Sequence, residues 1–65
     1  MPDIDFQNEG SITIMYARTP AGQDWVAEHI PEDAMTWGAG IVIEHRYVLD
    51  IMEGVLSDGL DIGRV

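Results

Sequence analysis

Gly40-Ile41-Val42-Ile43-Glu44-His45-Arg46-Tyr47-Val48-Leu49-Asp50-Ile51-Met52-Glu53-Gly54-Val55-Leu56 is the stretch in which the period of the chain changes. Ile41-Val42-Ile43 is β-branched throughout, and such side chains suit the pleated, half-buried surface of a sheet. From His45 the apolar residues fall at Val48, Ile51, Met52, Val55 and Leu56, spacings of three and four that place them in one broad stripe on a helix. A strand therefore runs directly into a helix. Arg46 and Asp50 lie four apart and can pair on its outer side. Gly54 costs roughly 1 kcal/mol against alanine in a helix interior, and tight packing against a strand or another helix would account for it. Asp58-Gly59 reads as the helix end, with Leu60 folding back as the apolar contact of a glycine cap. Leu60-Asp61-Ile62 can form a short last strand.

Working back from Gly40, Trp37-Gly38-Ala39-Gly40 leads into the strand, and Gly38 and Gly40 permit a bulge or a close backbone approach. Pro31-Glu32-Asp33-Ala34 is a turn. Thr19 suits an N-cap and Pro20 the first helical position, so a helix is expected from there to about Ile30, where Pro31 stops it. Ala21, Trp25, Val26, His29 and Ile30 are expected on its inward side, and Asp24 and Glu28 on its outer side. Ser11 to Tyr16 alternates: Ile12, Ile14 and Tyr16 share one face of a strand, and Ser11, Thr13 and Met15 the other. One face of that strand should be covered and the other open to water or to a partner. Ile4 and Phe6 alternate with Asp3, Asp5 and Gln7, with Asn8-Glu9-Gly10 as a hairpin loop.

These elements predict an α/β (α+β) two-layer domain, with two helices packed on one face of a small three-stranded sheet. Residues 1–10 form a flexible arm or an extra N-terminal edge strand, and residues 11–65 the single domain. A right-handed crossover would make the first two core strands parallel.

Composition narrows the function. The 65 residues contain twelve carboxylates, three arginines and no lysine, for a net charge of -9. Such a field repels nucleic acid and anionic membrane and attracts basic partners. Cysteine is absent, which removes disulfides, thiolate metal sites and a cysteine nucleophile. Without lysine there is no lysine Schiff base. A hydrophobic content of 46% is too high for a disordered acidic tail. No apolar run approaches the roughly 20 residues of a membrane span, and Met1-Pro2-Asp3-Ile4-Asp5 lacks the basic start of a signal peptide. A cytoplasmic location is the expectation. A domain of this size buries only roughly 60% of its unfolded surface, so oligomerisation is the reinforcement left to it.

Four features are candidates for chemistry. Glu28-His29 and Glu44-His45 each set a carboxylate beside an imidazole, but sequence neighbours point in different directions on helix and strand alike. His29-Ile30-Pro31-Glu32-Asp33 lacks the alternating ligands of a calcium loop. Trp25 and Trp37 belong to the core, or to a binding rim, where tryptophan is a common anchor. Glu44-His45-Arg46-Tyr47 gathers functional-looking side chains at the strand-to-helix junction. Gly38-Ala39-Gly40 precedes a strand and is no phosphate loop, and neither serine occupies a nucleophile elbow.

Thr19-Pro20-Ala21-Gly22-Gln23-Asp24-Trp25, Pro31-Glu32-Asp33-Ala34, Glu44-His45-Arg46-Tyr47 and Asp58-Gly59-Leu60 carry one resemblance. Across Thr19 to Leu60, about two-thirds of the chain, the sequence resembles small acidic proteins of bacterial, phage and plasmid genomes that have no established activity. The resemblance implies an accessory of a mobile element rather than a housekeeping enzyme.

The expectation is a small acidic protein-interaction module, alone or as a homodimer. It would present carboxylates and aromatic side chains to a basic protein, without a cofactor and without direct contact to nucleic acid or membrane. Asp24, Trp25, Glu28, Glu32, Asp33, Trp37, Glu44, His45, Arg46, Tyr47, Asp50 and Glu53 are its candidate surface. The alternative is a metal- or small-ligand-binding domain built on His29, His45 and nearby carboxylates. An enzyme ranks last, because no nucleophile–base pair is visible and so short a chain leaves little room for a pocket.

Overall fold

The computed structural model describes residues 1–63. Its elements are β1 (Ile4–Asn8), β2 (Ile12–Ala17), α1 (Pro20–His29), β3 (Thr36–Trp37), β4 (Gly40–Glu44), α2 (His45–Ser57) and β5 (Ile62–Gly63). The α+β class agrees with the sequence. Among the described residues, however, the sheet has five strands in the order β3-β4-β2-β1-β5, not three. It is mixed: β1 pairs antiparallel with β2 and parallel with β5, while β4 lies antiparallel to both β2 and β3.

Residues 1–10 are neither an arm nor an edge. β1 lies between β2 and β5, and Ile4 and Phe6 are 0% exposed. The segment looks acidic because every second residue faces away from the core. Asn8 closes the hairpin by accepting from the Gly10 N–H at 2.8 Å, and Gly10 takes φ 88°, a left-handed conformation that suits glycine.

The parallel pairing expected of the two core strands is also corrected: β2 and β4 are antiparallel. The helix crossover does lead to a strand parallel to β2, but that strand is β3. The sequence reading places Trp37 in the lead-in to β4 and assigns no strand there. The chain reverses at Gly38 (φ 62°), and β4 inserts between β2 and β3. Among the described residues both edge strands, β3 and β5, are two residues long, and short edges discourage edge-to-edge pairing.

The register fixes the two faces. Ile4 with Ala17, Phe6 with Met15, Met15 with Ile41, and Thr13 with Ile43 are cross-strand partners on one side. Ile4, Phe6, Met15 and Ile43 form the core with Trp25 of α1 and Val55 of α2. This is the helix-covered face. On the other face Asp5 pairs with Tyr16, Gln7 with Ile14, Ile14 with Val42, and Ile12 with Glu44. The more apolar half of the β2 alternation thus looks away from the helices.

The helix ends follow their sequence signals. Thr19 Oγ1 accepts from the Gly22 N–H at 3.1 Å, with Pro20 in the first turn. At the far end of α2 the Leu60 N–H donates to the Val55 carbonyl and the Gly59 N–H to that of Leu56, the pair of bonds of a Schellman cap. Gly54 faces Trp25, whose Cζ2 lies 3.3 Å from where a Cβ would stand. Two side-chain expectations fail. On α1, Ala21 and His29 are exposed, and Gly22 is buried in their place. On α2, Leu56 is 58% exposed, at the flank of the stripe rather than its centre. Among the described residues no helix is long and apolar enough to cross a membrane.

Candidate functional site

The helix-free face of the sheet is where the fold leaves large side chains without a covering layer. Gly40 makes its centre. A Cβ there would collide with Ile14 Cγ2 and sit 2.8 Å from Tyr16 Cε1, so glycine lets both side chains lie down onto β4. Trp37, the cross-strand partner of Gly40, is 62% exposed. Ile14 is 1% exposed although it lies outside the core cluster. Trp37, Tyr16, Ile14 and Glu9 line a depression of about 240 Å³. Beside it the Arg18 guanidinium lies 4.6 Å from the Tyr16 ring centroid and donates to Asp5 at 2.9 Å. Glu9 is held by an amide hydrogen bond from Gln7.

A second concavity, open and about 550 Å³, runs along α1 to the end of α2. It gathers Asp24, Trp25, Glu28, His29 and Asp58. Trp25 Nε1 donates to Asp58 at 2.7 Å, and the His29 ring stacks on the indole with centroids 4.2 Å apart. His29 Nε2 stands 3.6 Å from the same carboxylate, and its Nδ1 lies 2.9 Å from the Trp25 carbonyl. Asp58 therefore ties the two helices together through an aromatic side chain. That arrangement is structural first, because Trp25 is only 6% exposed.

The candidate residues from the sequence do not form one surface. Asp24, Trp25 and Glu28 join the α1 cleft, and Glu32 and Asp33 are exposed on the turn after it. Trp37 belongs to the sheet face. Glu44, at the end of that face, accepts from Arg46 Nη2 at 3.1 Å; the expected Arg46–Asp50 pair is not among the ion pairs of the described residues, and Asp50 and Glu53 are exposed on α2. Arg46 also covers the Tyr47 ring at 4.9 Å. Tyr47 borders an apolar groove with Met35 and Ile51. His45 lines a separate small pocket with Asn8, Thr13 and Leu49. The two histidines thus stand in different clefts, and among the described residues no group of three histidine, aspartate or glutamate side chains is close enough to hold a metal ion.

The sequence reading missed Tyr16, Ile14, Glu9 and Arg18. The alternation of Ile12, Ile14 and Tyr16 was visible, but alternation identifies a face without saying which face the helices cover.

Of the twelve carboxylates, all but Asp3 and Asp5 are exposed. They occur on both layers of the molecule. The Asp3 carboxyl is perturbed: a hydrogen bond from Thr19 and another from the Asp61 backbone hold it below the ordinary aspartate range.

No protein-family model matches the chain, and neither a curated protein nor a solved structure is significantly similar to it.

Proposed function

We propose that this chain is a small acidic protein-interaction module that binds a basic partner protein through the helix-free face of its sheet. One observation carries the reading: an aromatic and aliphatic centre, with Trp37 62% exposed, lies on the same face as the carboxylates of Asp5, Glu9 and Glu44. Protein interfaces commonly pair buried aromatic anchors with a polar rim. An aromatic sheet face can also serve as a stacking platform for single-stranded nucleic acid. That use needs a positive groove along the phosphates, and a lysine-free chain of net charge -9 opposes it. The acidic flank of α1, with Asp24 and Glu28, adds to the same long-range field. The resemblance to small proteins of phage and plasmid genomes supports a mobile-element accessory acting on a host protein.

Isothermal titration with a defined basic protein tests the reading. Affinity should fall steeply as salt rises, because the attraction is between exposed charges. Salt-independent affinity for that protein, or none at low salt, would sink it. A homodimer through this face is the proposal's second form, and it responds to salt in the opposite sense. Two copies of charge -9 repel, so light scattering should show association strengthening as salt is added.

A further inference from the structure

We propose that the depression bounded by Trp37, Tyr16, Ile14 and Glu9 is a binding slot for an arginine side chain of the partner; the inference rests on the reading just given. A guanidinium is a planar cation. It stacks on aromatic faces and donates in a fixed fork to a carboxylate. The slot offers the main complements, two aromatic side chains and the Glu9 carboxylate, over a buried floor that includes Ile14, in a hollow of about 240 Å³. Among the described residues Glu9 takes part in no ion pair; it accepts only from the neutral Gln7 amide. Its charge is therefore available to an incoming cation.

The molecule already contains this recognition among its own residues, at Arg18 and again at Arg46, which covers the Tyr47 ring at 4.9 Å while paired with Glu44. Arg18 stacks on Tyr16 at 4.6 Å while its Nε donates to Asp5 at 2.9 Å. An incoming guanidinium between Tyr16, Trp37 and Glu9 repeats that ring-plus-carboxylate arrangement one step across the sheet. Gly40 is what leaves room for it. A side chain at that position would push Ile14 and Tyr16, two of the hollow's lining residues, from their places. The other charged groups on the face are already engaged, Asp5 by Arg18 and Glu44 by Arg46.

Lysine would meet the same carboxylate but, as a strongly hydrated point charge, would stack less well. The slot therefore distinguishes two partners of equal charge. Glu9 and the net charge of -9 oppose phosphate and nucleic acid at the same place.

The test titrates an arginine-rich peptide and a lysine peptide of equal length and charge into the intact chain. Heteronuclear NMR follows the Trp37 indole and the Gly40 amide. The arginine peptide should shift both signals and bind more tightly than the lysine peptide. Trp37→Ala should weaken it about tenfold, in line with a cation–π contact, with Trp37→Tyr restoring most of the loss. Glu9→Gln should weaken it by a similar factor. Trp37 and Glu9 are exposed, and an unchanged core spectrum confirms that each variant is folded. If the arginine peptide binds both variants as tightly as the native chain, with shifts confined to α1, the slot is wrong while the acidic-module reading stands. If ethylguanidinium shifts Trp37 and Gly40 but no basic protein binds, the slot stands and that reading fails. If neither peptide nor ethylguanidinium moves these signals, the slot is overturned.

Discussion

The Thr19 hydroxyl donates to the Asp3 carboxylate at 2.6 Å, joining the cap of α1 to the chain just before β1, sixteen residues away. The same hydroxyl oxygen accepts from the Gly22 N–H, and the second Asp3 oxygen accepts from the Asp61 N–H at 2.9 Å. One aspartate thereby connects the start of the chain, the first helix and the approach to β5. The arrangement makes the fold sensitive to acid in a defined way.

The Asp3 carboxyl is held below its ordinary value of 3.8, chiefly by Thr19 and then by the Asp61 backbone. A group whose pKa is lowered by folding stabilises the folded state fully above its unfolded value. That contribution disappears as the pH falls through the lower, folded-state value. Thermal melts from about pH 5 down to about pH 2 should therefore show a decline in Tm that is shallower in Asp3→Asn than in the native chain. An unchanged slope would show that the bonds to Thr19 and Asp61 do not persist in solution. Thr19→Ala, which also removes the helix cap, should cost about 1 kcal/mol at neutral pH.

Gly22→Ala should destabilise the protein, although alanine is the better helix former by about 1 kcal/mol. A Cβ at Gly22 would overlap the Asp3 carbonyl oxygen and stand 3.1 Å from the carbonyl carbon. Backbone cannot move aside as a flexible side chain can, so the overpacking term, about 1–3 kcal/mol, exceeds the propensity gain. Gly54→Ala is the contrasting case. Its Cβ would meet only the edge of Trp25 at 3.3 Å, a few tenths of an ångström too close, and the two effects should nearly cancel. Chemical denaturation of both variants checks the pair; equal effects would contradict the close approach of α1 to the chain before β1.

What the sequence made legible was local. Thr19-Pro20 marked a helix start, Asp58-Gly59-Leu60 a helix end, and the change of period at His45 a junction between strand and helix. Each signal is carried by a few consecutive residues whose backbone chemistry needs no partner from elsewhere. What it left illegible was pairing. β3 is two residues long and shows no alternation at all; it exists because Gly38 turns the chain back onto β4. β1 is interior because Ile62 and Gly63, nearly sixty residues later, pair with Ile4 and Asp5. The candidate site was missed for the same reason. Tyr16, Trp37 and Gly40 come from three strands, and only the register brings them together.

The two tryptophans should separate cleanly under mutation. Trp25 is 6% exposed, packs in the core and donates to Asp58, so Trp25→Ala should cost about 3–5 kcal/mol. In a domain this small that is enough to unfold most molecules. Trp37→Ala should change stability by no more than about 0.5 kcal/mol, as for other surface substitutions, while removing the solvent-exposed part of the tryptophan emission. Circular dichroism and fluorescence on the two variants decide the matter. A large loss of stability on removing Trp37 would mean that it packs as part of the fold and is not free to receive a partner.

Removing residues 1–8 discriminates most sharply between the sequence and the structure. If that segment were an arm, the remainder would keep its melting transition and its full helical signal. In the structure the deletion takes out Ile4 and Phe6, both fully buried, and the Asp3 junction with Thr19 and Asp61. It also strips β5 of its strand partner among the described residues, β1. Loss of two such side chains costs about 2–5 kcal/mol each, a sum comparable with the whole stability of a small domain. The truncated chain should therefore show no cooperative thermal transition at any temperature. A two-state melt in the truncated protein would return β1 to the status of an arm.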